Sequence, residues 1–368
     1  MLKDEAGAGK YMEIAFELAE MGRGRTNPNP MVGAVIVKDG HVVGEGRHAK
    51  AGGPHAEIEA LDQACAASRG ATLYVTLEPC CHRGRTGPCT DEIIKAGIKE
   101  VMIGVLDPNP LVSGRGVKAL KAAGLAVSVG DSGKIVRQNE VYFKFIQTKR
   151  PFVLVKIAMS LDGKIAAKVG ARSNLTGAKA KLEVHKLRNE YQAVLVGIGT
   201  VLIDNPLLNC RLEGGDVRQP IRVIVDSRGR LPLESRVVGA ARADRVILAA
   251  TEKMSKGRRR DLAGMGVEAI FCDTNERGQV DINDLLGRLG DLEITSVLAE
   301  GGALLNEELL AEEVADKMLL FQAPLVIGGY DSVPMLAGNR SIRQNWQPAE
   351  CRLVGNDVML EVYPVGKS

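Results

Sequence analysis

The feature that most constrains the fold is an alternation of β-branched runs with helix-like segments, and the chain carries this alternation twice. The first half contains MVGAVIVKDGHVVGEG at 31–46, two β-branched runs joined by Asp39-Gly40, which predicts a hairpin. Segments such as ATLYVTL and EVMIGVLD then alternate with HAEIEALDQAC and CTDEIIKAG. The alternation restarts after Pro151 with FVLVKIAMSLDG. Such alternation is typical of α/β layer folds, so we predict two α/β domains, at residues 1–148 and 149–368.

Two further segments make this prediction specific. SGKIVRQNEVYFKFIQTKR at 132–150 predicts one helix that leads to the domain boundary. AVLVGIGTVL at 193–202 predicts a strand in the second domain. The second domain therefore resembles a nucleotide-binding α/β domain, in which ligands bind beyond the carboxyl ends of the strands.

Length, charge and cysteine content exclude several classes of protein. The 368 residues exceed one ordinary core, and a net charge of +3 with 4% aromatic residues does not favour a nucleic-acid-binding surface. No apolar run approaches the roughly 18 residues of a membrane span, and the N-terminal segment lacks the apolar core of a signal peptide. Seven cysteines are an odd number, which argues against a disulfide scaffold. We therefore expect a cytoplasmic protein that binds neither nucleic acid nor membrane.

A histidine, a glutamate and two cysteines have the pattern of a catalytic zinc site. His55 and Glu57 lie two positions apart at the start of a predicted helix, and TLEPCCHRGRTGPC adds Cys80 and Cys89. One imidazole and two thiolates leave the fourth position of tetrahedral Zn2+ open for water, whose pKa falls towards about 7. A carboxylate two residues from the histidine can carry protons between that water and a substrate. The pattern is that of zinc deaminases, H-x-E…P-C-x-x-C, with the second cysteine displaced.

The choice of the second cysteine ligand rests on helix geometry. Cys89 opens the predicted helix CTDEIIKAG, where the helix dipole favours a thiolate. The side chain of Cys81 diverges from that of adjacent Cys80, so we predict Cys89 as the ligand. His82 as a fourth ligand is the alternative, and it would give a closed structural site with no use for Glu57.

The first half resembles the deaminase half of the bifunctional riboflavin-biosynthesis deaminase–reductases, which have the cytidine deaminase fold. The motifs that carry the resemblance are PNPMVGAVIV, GEGRHAKAGGPHAE, TLEPCCHRGRTGPC and DPNPLVSGRGVKALKAAG. The resemblance implies that His55, Cys80 and Cys89 bind zinc and that Glu57 is the proton shuttle. It also implies hydrolytic removal of an amino group from a pyrimidinone that carries a ribose phosphate.

A phosphate on the substrate would explain the long insert between the cysteines. Arg83, Arg85 and Thr86 have charged and hydroxyl donors for it, and the neighbouring glycines permit exposed backbone N–H groups. The alternative is a solvated basic turn.

The second half resembles the reductase half of the same family, which has a dihydrofolate-reductase-like fold and uses NADPH to reduce the ribosyl group to ribityl. Ser227, at a strand end, has a hydroxyl suited to the phosphate that distinguishes NADP from NAD. The resemblance assigns cofactor contacts to Ala158, Asn174, Thr200, Asp204, Ser227, Gly301 and Gly302. It assigns substrate contacts to Lys156, Arg188, Leu208, Arg211 and Glu300. Asn174 departs from the family, because RSNLT stands where many members read S-x-W-I-T, and a structural ion pair on its own helix is the alternative role for Arg188.

The leading hypothesis is a bifunctional enzyme, with a zinc hydrolase in front and an NADPH reductase behind. Its expected partner is a phosphoribosylated pyrimidine, and we expect a homo-oligomer. One alternative is a nucleic-acid or nucleoside deaminase with an unrelated C-terminal domain, which predicts a basic face and aromatic stacking platforms. Another is a binding protein with a deaminase-like domain that has lost catalysis, against which the retained Glu57 argues.

Overall fold

Strands and helices alternate along the chain, and they form two compact units, residues 1–149 and 150–368. The computed structural model describes residues 5–81, 87–171, 173–215 and 217–366. None of the helices in these ranges is long and apolar enough to cross a membrane.

The first unit is built on a five-stranded sheet in the order β2-β1-β3-β4-β5. Its strands are β1 (Gly33–Lys38), β2 (His41–Arg47), β3 (Thr72–Leu77), β4 (Glu100–Val105) and β5 (Ala126–Val129). Strand β1 is antiparallel to β2 and β3, whereas β3, β4 and β5 are parallel. The predicted hairpin is confirmed, because Asp39 and Gly40 form the β1–β2 turn with φ values of 51° and 80°. Positive φ at both central residues is the geometry that matches the twist of a tight hairpin.

The helices of the first unit pack on this sheet. They are α1 (Glu5–Glu20), α2 (Ala56–Ala64) with a 3-10 turn (Cys65–Ser68), α3 (Cys89–Lys95), α4 (Arg115–Ala122), α5 (Gly133–Gln138) and α6 (Glu140–Thr148). The prediction of one helix over 132–150 is wrong, since α5 ends before Asn139 and α6 begins after it. The buried side-chain amide of Asn139 accepts a hydrogen bond from the backbone N–H of Met31 (2.8 Å) and donates one to its carbonyl (3.0 Å). This long-range pairing coincides with the break between the two helices.

The second unit is built on a nine-stranded sheet in the order β11-β10-β9-β8-β12-β6-β13-β16-β15. The strands of this unit are β6 (Phe152–Met159), β7 (Lys164–Ala166), β8 (Ala193–Gly197), β9 (Ile221–Val225), β10 (Val246–Ala250), β11 (Glu268–Phe271), β12 (Ser296–Ala299), β13 (Lys317–Gln322), β14 (Val333–Pro334), β15 (Trp346–Val354) and β16 (Asp357–Pro364). The run from β11 to β13 is parallel, and β16 and β15 add to it in antiparallel orientation. Strands β7 and β14 form a separate two-stranded sheet.

The helices of the second unit connect these strands. They are α7 (Ala178–Glu190), α8 (Ile198–Asp204), α9 (Arg236–Gly239), α10 (Lys256–Gly264), α11 (Ile282–Asp291) and α12 (Ala303–Ala311). The central strands are apolar on both faces, as expected for a covered parallel sheet, and residues 193–196 have no exposed surface. The prediction of a strand over 193–202 is wrong beyond Gly197, where α8 begins. Ile198 and Val201 are both buried at helical spacing, so tertiary packing stabilises a helix there.

Two candidate active sites

The three predicted zinc ligands lie together in the first unit. One ligand atom each from His55, Cys80 and Cys89 lies within 4.8 Å of the others. His55 Nδ1 is 3.1 Å from Cys89 Sγ and 3.6 Å from Cys80 Sγ. His55 precedes α2, Cys80 follows β3 and Cys89 opens α3, so three separate elements converge on this point. A histidine nitrogen and two sulfurs at this separation fit Zn2+, which these donors bind with one position left open.

The neighbouring residues of the motif separate into two groups. Cys81 Sγ faces the backbone carbonyl of Leu111 at 3.9 Å and is not part of the ligand group. His82, Arg83, Arg85 and Thr86 lie outside the described residues, so the predictions on them stay predictions.

The backbone around the ligands is held by close packing and hydrogen bonds. A Cβ added at Gly46 on β2 would lie 2.1 Å from the carbonyl oxygen of Ala56, so the glycine permits α2 to approach the sheet. The backbone N–H of Cys89 donates to Cys80 Sγ at 3.3 Å. Together with the Cys89 thiol and the His55 ring, this contact holds the pKa of Cys80 well below its usual range. The Cys80 sulfur is therefore set up as a thiolate, the form that binds metal.

Glu57 lies on the first turn of α2 and is 3% exposed. Burial, followed by the charge of Cys80, raises the pKa of Glu57 to about 7. The nearby Cys89 and His55 act in the opposite direction without reversing the shift. A carboxyl group with this pKa gains and loses a proton readily at neutral pH, as a proton shuttle must.

The buried ring of His48 lies beside the ligand group, with its centroid 5.7 Å from that of His55. Its Nδ1 is 2.8 Å from the carbonyl oxygen of Pro54, and its Nε2 is 3.2 Å from the side-chain amide of Asn29. Both nitrogens therefore have partners that fix the orientation of the ring.

One buried acid in the cysteine motif, Glu78, was not predicted from the sequence. The Glu78 carboxylate is 3% exposed and accepts hydrogen bonds from the backbone N–H groups of Gly114 and Val117, each at 3.0 Å. It caps the start of α4, where Gly114 has no side chain to do so. Since Glu78 precedes Pro79-Cys80, this contact also anchors the segment that carries a ligand.

A second missed acid follows β4. Asp107 is buried, and burial raises its pKa to about 6. The hydroxyl of Tyr142 on α6 donates to both of its carboxylate oxygens, at 3.0 and 3.2 Å. The DPNP sequence that contains Asp107 indicates a turn, but it does not predict the tyrosine, which is 35 residues away.

In the second unit, Glu300 is the centre of a buried ion triad. It follows β12 and pairs with Lys156 of β6 (Nζ to Oε2, 3.3 Å). Arg188 of α7 donates to both of its carboxylate oxygens, from Nε at 2.6 Å and Nη2 at 3.0 Å. Burial opposes ionisation, but Lys156 and Arg188 lower the pKa of Glu300 to about 2. Three residues that were predicted to contact the substrate are thus brought together. The ion pair of Arg188 links α7 to the residue after β12, so Arg188 does not form the alternative ion pair within its own helix.

The loop after α8 reaches the same place. Arg188 Nη1 donates to the carbonyl of Asn209 at 3.1 Å. Leu208 is buried with φ of 52°, and exposed Arg211 donates from Nη1 to Asn209 Oδ1 at 3.2 Å. The predicted substrate residues Leu208 and Arg211 therefore flank an asparagine that contacts the triad through Arg188.

Five of the seven predicted cofactor residues lie at or just after the carboxyl ends of parallel strands: Ala158, Thr200, Ser227, Gly301 and Gly302. A Cβ added at Gly302 would lie 3.9 Å from Thr200 Oγ1, and one at Gly301 would lie 2.9 Å from Leu305. Gly302 precedes α12 and supplies no side-chain cap, so the backbone N–H groups at this helix start are of the kind that bind a phosphate. Asp204 ends α8, and Ser227 follows β9, where its Oγ accepts the backbone N–H of Val280 at 3.0 Å.

The two remaining predicted cofactor residues differ in their surroundings. Ala158 lies on β6, beside Phe321 of β13, and Asn174 is exposed in the segment before α7. Trp346 pairs with Pro364, at the opposite end of the β15–β16 hairpin from Asp357, which binds the backbone of Gly177.

Comparisons with known proteins match both units. The model of the cytidine and deoxycytidylate deaminase zinc-binding region matches residues 7–105, and that of the RibD C-terminal domain matches residues 151–360.

The chain is 42% identical to "Riboflavin biosynthesis protein RibD" of Actinobacillus pleuropneumoniae, over 95% of this chain and 94% of that one. Form 1 of Acinetobacter baumannii RibD is similar with a TM-score of 0.88 and 37% identity, over 98% of this chain and 99% of that one. The Thermotoga maritima diaminohydroxyphosphoribosylaminopyrimidine deaminase/5-amino-6-(5-phosphoribosylamino)uracil reductase is similar with a TM-score of 0.85 and 38% identity, over the same shares. These matches confirm the predicted fold class of both halves.

Proposed function

The chain belongs to the RibD family of bifunctional deaminase–reductases in riboflavin biosynthesis, and from this premise we propose which of its residues carry each reaction. It is an enzyme with a zinc-binding deaminase unit (residues 1–149) and an NADPH-dependent reductase unit (residues 150–368). The observation that carries the proposal is the convergence of His55, Cys80 and Cys89 beside buried Glu57.

In the deaminase unit, we assign the zinc ligands to His55, Cys80 and Cys89. Zinc bound there supplies hydroxide near neutral pH by lowering the pKa of water. Glu57 takes the protons of the attacking water and passes one to the ring nitrogen and one to the amino group of the pyrimidinone, which leaves as ammonia while the water oxygen becomes the ring carbonyl. The burial that raises the pKa of Glu57 to about 7 supports this role, because both its acid and base forms are then available.

The substrate of this step is a diaminopyrimidinone that carries a ribosylamino 5'-phosphate. We assign its phosphate to Arg83, Arg85 and Thr86 of the insert, on the chemistry of their donors. Charge-assisted hydrogen bonds from arginine suit a phosphate, and the hydroxyl of threonine adds a neutral donor.

In the reductase unit, the ribosyl group of the deaminated product is reduced to ribityl. NADPH supplies the hydride when it is bound, and we assign its contacts to Ala158, Asn174, Thr200, Asp204, Ser227, Gly301 and Gly302. The substrate contacts are Lys156, Arg188, Leu208, Arg211 and Glu300.

The contacts of the arginines refine this assignment. Arg188 already uses three of its five N–H donors, at Nε and Nη2 on Glu300 and at Nη1 on Asn209, so two are left. Arg211 is exposed and uses one contact on the side chain of Asn209. Arg211 is therefore the main phosphate contact, and Arg188 chiefly orients Glu300 and the loop.

A two-step assay on the zinc-loaded protein tests the proposal. Ammonia release from the diaminopyrimidinone ribotide reports the first unit, and loss of NADPH absorbance with the deaminated ribotide reports the second. We expect Glu57→Gln to keep one zinc per chain and to lose ammonia release by about 10²- to 10⁴-fold, with NADPH oxidation unchanged. Arg211→Ala should raise the KM for the deaminated ribotide and leave ammonia release unchanged. Either variant with wild-type kinetics contradicts its assignment.

We also propose that the protein acts in the cytoplasm, on small molecules without nucleic acid, and as a homo-oligomer. None of its seven cysteines, all of which lie in the described residues, is in a disulfide, and the net charge of +3 is nearly balanced. Strand β15 forms an edge of the nine-stranded sheet and exposes 73% of Leu353, a surface that a second copy can cover. Light scattering of the purified protein tests the oligomer, and a monomer mass contradicts it.

A further inference from the structure

The loop over residues 205–211 of the reductase unit is fixed by side chains from other elements. Arg222 of β9 donates from Nε to the carbonyl of Leu207 at 3.0 Å. The side-chain amide of Gln219 accepts from the N–H of Cys210 at 2.9 Å and donates to its carbonyl at 3.0 Å. The backbone of this loop is therefore held in one conformation up to Cys210.

His185 on α7 continues this support to Arg211. The backbone N–H of Arg211 donates to His185 Nδ1 at 3.2 Å, and the Cys210 thiol donates to the backbone carbonyl of His185 at 3.2 Å. His185 lies three residues before Arg188, so both side chains project from the same face of the helix. One helix face thus binds the loop at Asn209, through Arg188, and at Arg211, through His185.

The contact requires a neutral imidazole, because a protonated Nδ1 cannot accept a hydrogen bond. Burial lowers the pKa of His185, and the charges of Arg188 and Arg211 lower it further. Glu300 and the backbone carbonyl of Asn209 act in the opposite direction without reversing the shift. The lowered pKa favours the neutral ring, in which Nδ1 can accept the N–H of Arg211.

We propose that His185 is a positioning residue of the reductase, which holds the backbone of Arg211 so that its exposed guanidinium meets the anionic end of the substrate. The inference rests on the substrate role proposed for Arg211. Without the acceptor on His185, the N–H of Arg211 loses its partner and the arginine must be ordered by the substrate itself. That ordering cost weakens binding and leaves hydride transfer unaffected, so KM should change and kcat should not.

Two substitutions at His185 separate positioning from packing. His185→Leu removes the acceptor and keeps an apolar side chain of similar width. His185→Asn keeps an acceptor, because its Oδ1 takes the place of Nδ1. With the zinc-loaded full chain, we expect His185→Leu to raise the KM for the deaminated ribotide by about three- to tenfold, the loss of one hydrogen bond, with kcat unchanged. His185→Asn should restore most of the wild-type KM, and ammonia release by both variants should match the wild type.

A double-mutant cycle with Arg211→Ala completes the test. If His185 acts through Arg211, then His185→Leu should not raise KM further in the Arg211→Ala background. An equal increase in both backgrounds overturns the inference, as does a His185→Asn variant as defective as His185→Leu. If Arg211→Ala alone keeps the wild-type KM, the proposed function of Arg211 fails first. If Arg211→Ala raises KM and His185→Leu does not, the inference about His185 fails alone.

Discussion

The buried carboxylate of Glu300 offers a quantitative test of the reductase site through stability. Glu300→Gln keeps the size of the side chain and removes its charge, which leaves Lys156 and Arg188 without a counter-ion. The side chains of Lys156 and Glu300 are only 14% and 8% exposed, so water compensates little for the loss. We expect the free energy of unfolding of the reductase unit to fall.

The size of the effect follows from the pKa of Glu300. Its lowering from 4.5 to about 2 corresponds to about 3 kcal/mol of stabilisation of the ionised form in the folded unit. Removing one partner of a buried ion pair costs about 3–5 kcal/mol in other proteins, which agrees with this value. The two routes are independent, since one concerns protonation and the other substitution.

The chain's single tryptophan makes the measurement specific to this unit. Trp346 lies on β15 and packs against the core of the reductase unit, so its fluorescence reports the unfolding of that unit. With a urea dependence of about 3 kcal/mol per molar, Glu300→Gln should lower the urea midpoint by about 1 M. Glu268→Gln is the matched control, because the side chains of Arg245 and Glu268 are 40% and 43% exposed, and its cost should stay below about 1 kcal/mol.

The stabilisation by the ionised Glu300 side chain should change with pH in a definite direction. A carboxyl group whose pKa is lowered on folding contributes its stabilisation above its unfolded pKa and loses it as pH falls through its folded pKa. The difference between wild type and Glu300→Gln should therefore be constant above about pH 4.5 and should shrink between there and pH 2. A midpoint equal to that of Glu268→Gln, or a difference that persists unchanged to pH 2, refutes the reasoning.

The remaining predictions concern the deaminase unit. Cys89→Ala should lose bound zinc in metal analysis after dialysis, whereas Cys81→Ala should keep it; the reverse result contradicts the ligand assignment. Gly33→Ala should lower the melting temperature of this unit by several degrees in calorimetry, because the added methyl would lie 1.9 Å from a carbonyl oxygen of α1. Tyr142→Phe should cost about 1–3 kcal/mol at pH 7 in urea unfolding followed by circular dichroism, and less at pH 4, where Asp107, with its pKa of about 6, is protonated and accepts a weaker hydrogen bond. An equal cost at both pH values contradicts that explanation.

The local signals in the sequence predicted most of the elements. Asp39-Gly40 specifies a tight turn by itself, because its two residues tolerate positive φ. The break at Asn139 was not predicted, since the hydrogen bonds that accompany it lead to Met31, 108 residues away. The start of α8 after Gly197 was missed for a different reason. A short apolar run alone does not distinguish a buried strand from a buried helix.

By itself, the sequence determined the alternation of strands and helices, the two α/β halves and the residue types of the zinc group. These properties depend on neighbours within a few positions, where periodicity and turn chemistry act. Only the tertiary structure decided which side chains meet: Glu78 with the start of α4, Glu300 with Lys156 and Arg188, and His185 with Arg211. Those partners are separated by 26 to 144 residues. A buried charge needs a counter-ion and a buried backbone N–H must donate to an acceptor, and the packing of distant elements decides which group is near enough.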